Sequence, residues 1–321
     1  MELRTLGNTN LRISSVALGT WPMAGMTSLD VNEADSLATI AAALDAGVNF
    51  FDTAYCYGSH GESERLLAQA LGRRRAEVVI ATKGGIHWDA AGQRISDARP
   101  VTLRRQCEES LRRLNTDWVD LLYLHAPDPQ IPVAESAGEL KQLMVEGKTR
   151  SVGVSNATLQ QLRDFAAVCP IAAYQPCYNM LQREIEVDTL PWCREHGMAV
   201  CIYWPLMKGL LTAKFARNHQ FDPRDGRRKY PMYHGQEWER NQAFLDELRQ
   251  IAAEAGHTVA QVVINWTIHQ PGITSALCGA KRPAQIQETA AAMSWKLSGT
   301  HLARINGAIQ RRGKIVSRTA V

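Results

Sequence analysis

Four side chains far apart in the chain, Asp52, Tyr57, Lys83 and His125, have the types needed to move a proton to or from a carbonyl oxygen. A free tyrosine titrates near pH 10. An ammonium within a few ångströms favours the phenolate and lowers that value, and a carboxylate beside the lysine keeps it charged and in position. On this reading Tyr57 is a general acid tuned downward by Lys83, Asp52 holds Lys83, and His125 donates to the oxygen on which negative charge develops. No nucleophile accompanies them: no Ser or Cys sits in a nucleophile elbow, and no HExxH or clustered ligand set offers a metal. The attacking group is therefore expected from a cofactor such as a reduced nicotinamide. A barrel-strand lysine can also form a Schiff base, but an Asp52 that keeps Lys83 protonated argues against it.

For these groups to meet, the chain must bring several strand ends together. Short apolar or β-branched runs alternate with helical patterns, which implies parallel strands joined by helical crossovers. The expected strands are Ser15–Leu18, Asn49–Asp52, Val78–Lys83, Leu121–His125, Ser151–Ser155, Ala172–Gln175, Ala199–Trp204 and Ile273–Cys278. Between and after them the spacing predicts helices over Asn32–Ala46, Ser63–Leu71, Thr102–Leu114, Val133–Glu146, Leu159–Ala167, Val187–His196, Thr258–His269 and Pro283–Ala292. Eight strand–helix units indicate a closed α/β barrel, the (β/α)8 TIM barrel, and a single domain over residues 1–321. In such barrels the active site lies at the carboxyl ends of the strands, where these four residues fall. Two additions are expected: an N-terminal β-hairpin, Arg4–Leu6 and Leu11–Ile13, on the barrel floor, and a long polar loop, Lys208–Gln236, leading into an extra helix from about Trp238 to Ala255.

Composition excludes several other classes. With 36 Lys and Arg against 32 Asp and Glu, the net charge is only +4 and is spread along the chain, so a nucleic-acid partner is not indicated. No run approaches the roughly 20 apolar residues that span a bilayer, and the N-terminus has no signal-peptide pattern. A cytoplasmic protein without a membrane partner is expected. Seven cysteines with no CxxC pair signal neither a disulfide framework nor a zinc site, so reduced, mostly buried thiols are expected, Cys56 among them in a packing role.

A cofactor site is not announced by a GxGxxG fingerprint, which is absent, nor by a P-loop, since Gly147-Lys148-Thr149 lacks the upstream glycine at Gln142. Gly279-Ala280-Lys281-Arg282-Pro283 is the better candidate, because a helix N-terminus flanked by two cations suits a phosphate.

From Leu6-Gly7-Asn8-Thr9-Asn10-Leu11 to Gly279-Ala280-Lys281-Arg282 the chain resembles the aldo-keto reductases, especially their bacterial and potassium-channel β-subunit-like branches. The resemblance implies a catalytic tetrad of Asp52, Tyr57, Lys83 and His125, of which Tyr57 and His125 also face the substrate. It implies cofactor contacts for Gly19, Thr20 and Asp52, carboxamide contacts for Ser155, Asn156 and Gln175, and ring stacking for Tyr203. Pro205, Leu206, Lys208, Gly209 and Leu210 match the pyrophosphate segment, and Gly279, Lys281, Arg282, Gln285 and Glu288 the adenosine end. The two cations favour NADP(H). Trp21 is expected to line the substrate pocket, together with Trp88 in the stretch Gly84–Ser96, which has no counterpart in the family pattern. The implied activity is reversible reduction of a carbonyl to an alcohol on a small molecule. The channel β-subunits allow an alternative, a regulatory subunit that senses the nicotinamide cofactor with slow turnover, and a homo-oligomer is left open.

Overall fold

The computed structural model of the protein describes residues 2–26 and 28–316. Eight parallel strands close into a barrel: Val16–Gly19, Phe50–Asp52, Val79–Gly84, Leu121–Leu124, Val152–Ser155, Ala173–Gln175, Ala199–Ile202 and Ser275–Gly279. Pairing of the last strand with the first, Gly279 opposite Gly19, closes the ring. Every strand is nearly or wholly buried because the ring interior covers one face and the helices cover the other, which is why the strands read as continuous apolar runs rather than alternating ones.

Local chemistry explains the helix boundaries. Thr158 and Thr258 each open a helix with a capping box, closed by Gln161 and Gln261. Gly47 and Gly147, with φ of 77° and 76°, follow the ends of two other helices in the left-handed region that side chains disfavour. The helix expected over Val187–His196 instead begins at Thr189, after a 3₁₀ turn at Glu184–Glu186. Pro191 decides this: in a helix starting at Val187 it would sit in the interior and lack a needed N–H, whereas in the first turn that N–H has no partner to lose.

The N-terminal hairpin, Leu3–Thr5 paired with Arg12–Ser14, closes the barrel floor. Its Leu6 and Ile13 are fully buried against Phe50, Val79, Leu121 and Leu277. Gly7 is obligatory there, with φ of 54° and a hypothetical Cβ only 2.0 Å from the Ala172 carbonyl oxygen. Higher in the barrel, fully buried Tyr123 takes the space that Gly153 leaves open. A Cβ on Gly153 would lie 2.4 Å from the Tyr123 ring and 2.8 Å from the Ala173 carbonyl oxygen. Gly153→Ala is therefore expected to destabilise the fold by about 1–3 kcal/mol, the usual cost of overpacking. A urea melt reads this directly, and an unchanged midpoint would contradict the packing described.

Two features lie outside the expected pattern. Ile86–Trp88 and Arg94–Ser96 form a β-hairpin over the barrel mouth, and a final helix, Gly299–Arg312, packs against the extra helix Gly235–Ala255. The loop before the extra helix is built rather than loose. Phe215, Phe221 and Tyr233 contact one another edge to face, and the Arg227 guanidinium lies over Phe215 at 4.9 Å and Phe221 at 5.1 Å.

Candidate active site

The carboxyl ends of three neighbouring strands deliver the four side chains to one place. Asp52 ends the second strand, Lys83 lies next to the end of the third, and His125 directly follows the fourth. Tyr57 comes from the loop after Asp52. That loop continues the strand pairing, since Thr53 and Tyr55 donate their backbone N–H to the Ala81 and Lys83 carbonyls.

Lys83 is completely enclosed and spends all three ammonium hydrogens. They go to Asp52 Oδ1 at 2.5 Å, the Thr53 carbonyl at 2.8 Å and the Tyr57 hydroxyl at 3.2 Å. The other Asp52 oxygen accepts from Gln175 Nε2 at 2.8 Å. Burial pushes the Asp52 carboxyl up, while the Lys83 charge and the hydrogen bonds from Lys83 and Gln175 pull it back. A lysine held this way has no free lone pair to attack a carbonyl, which disfavours the Schiff-base reading.

Tyr57 departs from the sequence expectation. Its phenol is pushed well above 10, first by burial and then by the Asp52 charge, rather than lowered by Lys83. Burial and the Asp52 charge outweigh the ammonium, which gives its shortest bond to Asp52 and only a longer one to the phenol. His125 is pushed well below 6.5, by burial first and then by Lys83 and Arg94. At neutral pH the site thus presents a protonated phenol and an uncharged imidazole. The Tyr57 ring stands edge-on to His125 with centroids 5.9 Å apart and to Trp21 at 4.9 Å. Beside them His125 Nδ1 lies 3.6 Å from Cys56 Sγ, whose thiol burial pushes up to about 12.

Sequence reasoning missed Glu64 and Arg113, and it gave Thr20 and Trp88 other roles than the holding contacts they make here. Glu64, fully buried, accepts from Thr82 Oγ1 at 2.7 Å and pairs with Arg113 at 3.2 Å, and Arg113 also donates to the Tyr55 carbonyl at 3.1 Å. Thr20 donates both its N–H and its hydroxyl to the Asp52 carbonyl, at 3.0 and 2.9 Å. The Trp88 indole donates to the Cys56 carbonyl at 2.7 Å and ties the mouth hairpin to the Tyr57 loop. Buried charges of this kind read as surface charges in a sequence, so only the helix-face position of Glu64 could have hinted at its role.

The residues assigned to a nicotinamide cofactor lie along one side of the mouth. Gly19 and Gly279, paired across the barrel seam, leave a strip without side chains; a Cβ on Gly279 would meet Pro22 at 2.9 Å. Tyr203 is oriented by its hydroxyl, which donates to Asn156 Oδ1 at 2.7 Å. Asn156 in turn donates to the His125 carbonyl and to Ser155 Oγ, both at 3.0 Å, and Ser155 donates to the Gln175 carbonyl at 2.8 Å. Pro205 and Leu210 are buried and support the segment, while Leu206, Lys208 and Gly209 are partly open. Met207, Lys208 and Gly209 all have positive φ, and the Lys208 ammonium lies over Trp204 at 4.7 Å and Tyr230 at 5.2 Å. At the far end Lys281 Nζ donates to the Leu29 carbonyl, Gln285 accepts from the Lys281 N–H at 2.9 Å, Arg282 lies 3.8 Å from Asp35, and Glu288 accepts from Lys214 at 2.6 Å. A side-chain-free seam, an anchored aromatic ring and amides beside it, and cations at a helix N-terminus are the donor set that an elongated dinucleotide needs, so the residues fit the group.

Among the described residues no helix is long and apolar enough to cross a membrane, and no group of three His, Cys, Asp or Glu side chains could hold a metal ion. All seven cysteines are free, and six are buried.

Comparison with known proteins places the chain in a family. The model of the aldo/keto reductase family matches residues 15–310. The chain is 33% identical over 309 residues to the aldo-keto reductase YhdN of Bacillus subtilis, covering 95% of this chain and 93% of that protein. It is 30% identical over 313 residues to an NADH-specific methylglyoxal reductase of Escherichia coli, covering 93% and 95%. The structure of the glycerol dehydrogenase AKR11B4 from Gluconobacter oxydans superposes with a TM-score of 0.89 at 35% identity, over 97% of this chain and 95% of that one. The chain belongs to the aldo/keto reductase family, a family of oxidoreductases that use nicotinamide cofactors.

Proposed function

We propose that this protein catalyses the reversible, NADP(H)-dependent reduction of aldehydes and ketones to alcohols, with Tyr57 as the proton donor. The observation that carries the reading is the Lys83 ammonium donating to the Tyr57 hydroxyl at 3.2 Å, beside Asp52 and His125. When bound, the nicotinamide supplies the hydride. The side chains do the rest. Tyr57 and His125 orient the carbonyl oxygen between them, and Tyr57 releases its proton to that oxygen as it becomes an alkoxide. The phenolate left behind is stabilised by the hydrogen bond from Lys83, which is already in place. In the reverse direction that phenolate takes the proton from the alcohol. Asp52, Gln175 and Thr20 are positioning residues for Lys83 and for the strand end that carries it. Trp21, against the Tyr57 ring, and Trp88, beside the same loop, form pocket walls.

Lys281 and Arg282 at the start of the helix Pro283–Ala290 support the phosphorylated cofactor. The setting we propose is the cytoplasm, where seven unpaired thiols stay reduced. The test is oxidation of NADPH, run beside NADH, across a panel of aldehydes, ketones and sugars that includes methylglyoxal, with glycerol for the reverse direction. NADPH is expected to have the lower KM, and Arg282→Ala to weaken NADPH binding about tenfold in a fluorescence titration while leaving NADH binding near its original value. Equal or better use of NADH would overturn the cofactor assignment. Failure of both cofactors with every compound would overturn the reading as a whole.

A further inference from the structure

The hairpin at the barrel mouth carries a cation that nothing in the described structure neutralises. In the pairing of Ile86–Trp88 with Arg94–Ser96, Arg94 stands directly opposite Trp88. Directly opposed residues of an antiparallel pair project from the same face of the sheet, with Cβ atoms about 5 Å apart. That face is fixed by Trp88, whose indole N–H reaches the Cys56 carbonyl at 2.7 Å, one residue before Tyr57. Arg94 therefore projects toward the catalytic mouth, and it is exposed. Among the described residues it has neither an ion-pair partner nor a side-chain hydrogen bond, whereas nearby Arg99 pairs with Asp97 at 2.6 Å and Arg104 with Glu146 at 2.7 Å. Its charge is felt by Cys56, Tyr57, His125 and Tyr203, all of them lining or flanking the site. The two charges deeper in the mouth, Asp52 and Lys83, are buried and paired with each other, so Arg94 is the exposed, unpaired cation that the hairpin offers to a substrate.

We infer that Arg94 is a substrate-recognition residue, and that the preferred substrates are small aldehydes or ketones that carry a carboxylate a few atoms from the carbonyl. A guanidinium presents a planar fork that matches a carboxylate with two parallel hydrogen bonds, which orients the substrate as well as attracting it. Anchoring at Arg94 would hold the far end of the molecule at the rim while its carbonyl reaches Tyr57 and His125. This inference rests on the proposed carbonyl reduction and adds the substrate class.

The experiment compares matched pairs: 4-carboxybenzaldehyde with methyl 4-formylbenzoate, and 4-oxobutanoate with its methyl ester, each reduced with NADPH. For the unmodified protein the acid is expected to exceed its ester in kcat/KM by about tenfold or more, the worth of one charge-assisted hydrogen bond. The ratio should collapse toward one in Arg94→Gln, survive in part in Arg94→Lys, and shrink as salt is added. A ratio at or below one in the unmodified protein, or a preference that persists in Arg94→Gln, would overturn the assignment. Calorimetric titration of 4-(hydroxymethyl)benzoate into the unmodified protein and Arg94→Gln separates the two readings. If no aldehyde turns over, the proposed function fails, yet a carboxylate that binds about tenfold more weakly to the variant still supports Arg94. Equal binding, or none to either protein, overturns it.

Discussion

Tyr57→Phe is expected to lower the turnover of carbonyl reduction by about 10²- to 10⁴-fold, the range supplied by a positioned general acid. The substitution removes one oxygen and nothing else. The ring that packs edge-on against Trp21 and His125 remains, and the Asp52–Lys83 pair keeps its bond at 2.5 Å. Cofactor affinity, read by quenching of protein fluorescence, should therefore change less than threefold or so, because the effect is confined to an interaction made in the transition state. The pH dependence follows from the same surroundings. A phenol held above 10 and an imidazole held below 6.5 keep their resting protonation between those two values. Because a raised pKa preserves the acid, reduction should be flat across that window and fall only on the alkaline side, as the proton donor is lost.

The second large effect is expected at Lys83. Lys83→Met removes three hydrogen bonds at once and leaves Asp52, only 2% exposed, as a buried carboxylate without its cation. Breaking one partner out of a buried pair costs about 3–5 kcal/mol, so the variant should unfold at markedly lower denaturant. Turnover should fall by about 10²-fold or more, since the phenolate formed from Tyr57 loses its stabilising donor. Stability and chemistry can be separated by adding Asp52→Asn. Replacing both charges removes the unpaired carboxylate, and most of the lost stability should return. Turnover should not. If activity recovered together with stability, Lys83 would be a structural cation and not part of the proton-transfer site.

Much of this arrangement was legible in the amino-acid order because a barrel converts periodicity into position. Once Asn49–Asp52, Val78–Lys83 and Leu121–His125 read as adjacent strands, Asp52, Lys83 and His125 had to emerge on one rim, and the structure brings them together. What escaped notice has physical causes. The mouth hairpin has strands of three residues that are mostly polar or partly open, so it shows no apolar run. The final helix, Gly299–Arg312, lies outside the strand–helix alternation and is defined by its packing on the extra helix. The direction of the Tyr57 shift depends on how Lys83 divides its hydrogen bonds and on how deeply the phenol sits, and neither is written in residue spacing. The amides Asn156 and Gln175 were expected to serve a bound ring, yet in the structure they also join Tyr203, His125 and Asp52 into one hydrogen-bonded network. That network couples the cofactor side of the mouth to the proton-transfer side.

The most direct test of the central claim is the rate of hydride transfer in single turnovers, recorded against pH for the unmodified protein and for Tyr57→Phe. The unmodified protein is expected to show a flat rate through neutrality with one alkaline decline, and the variant a rate lower by orders of magnitude with that decline abolished. A Tyr57→Phe protein that kept both the original rate and the alkaline decline would show that the proton comes from another group.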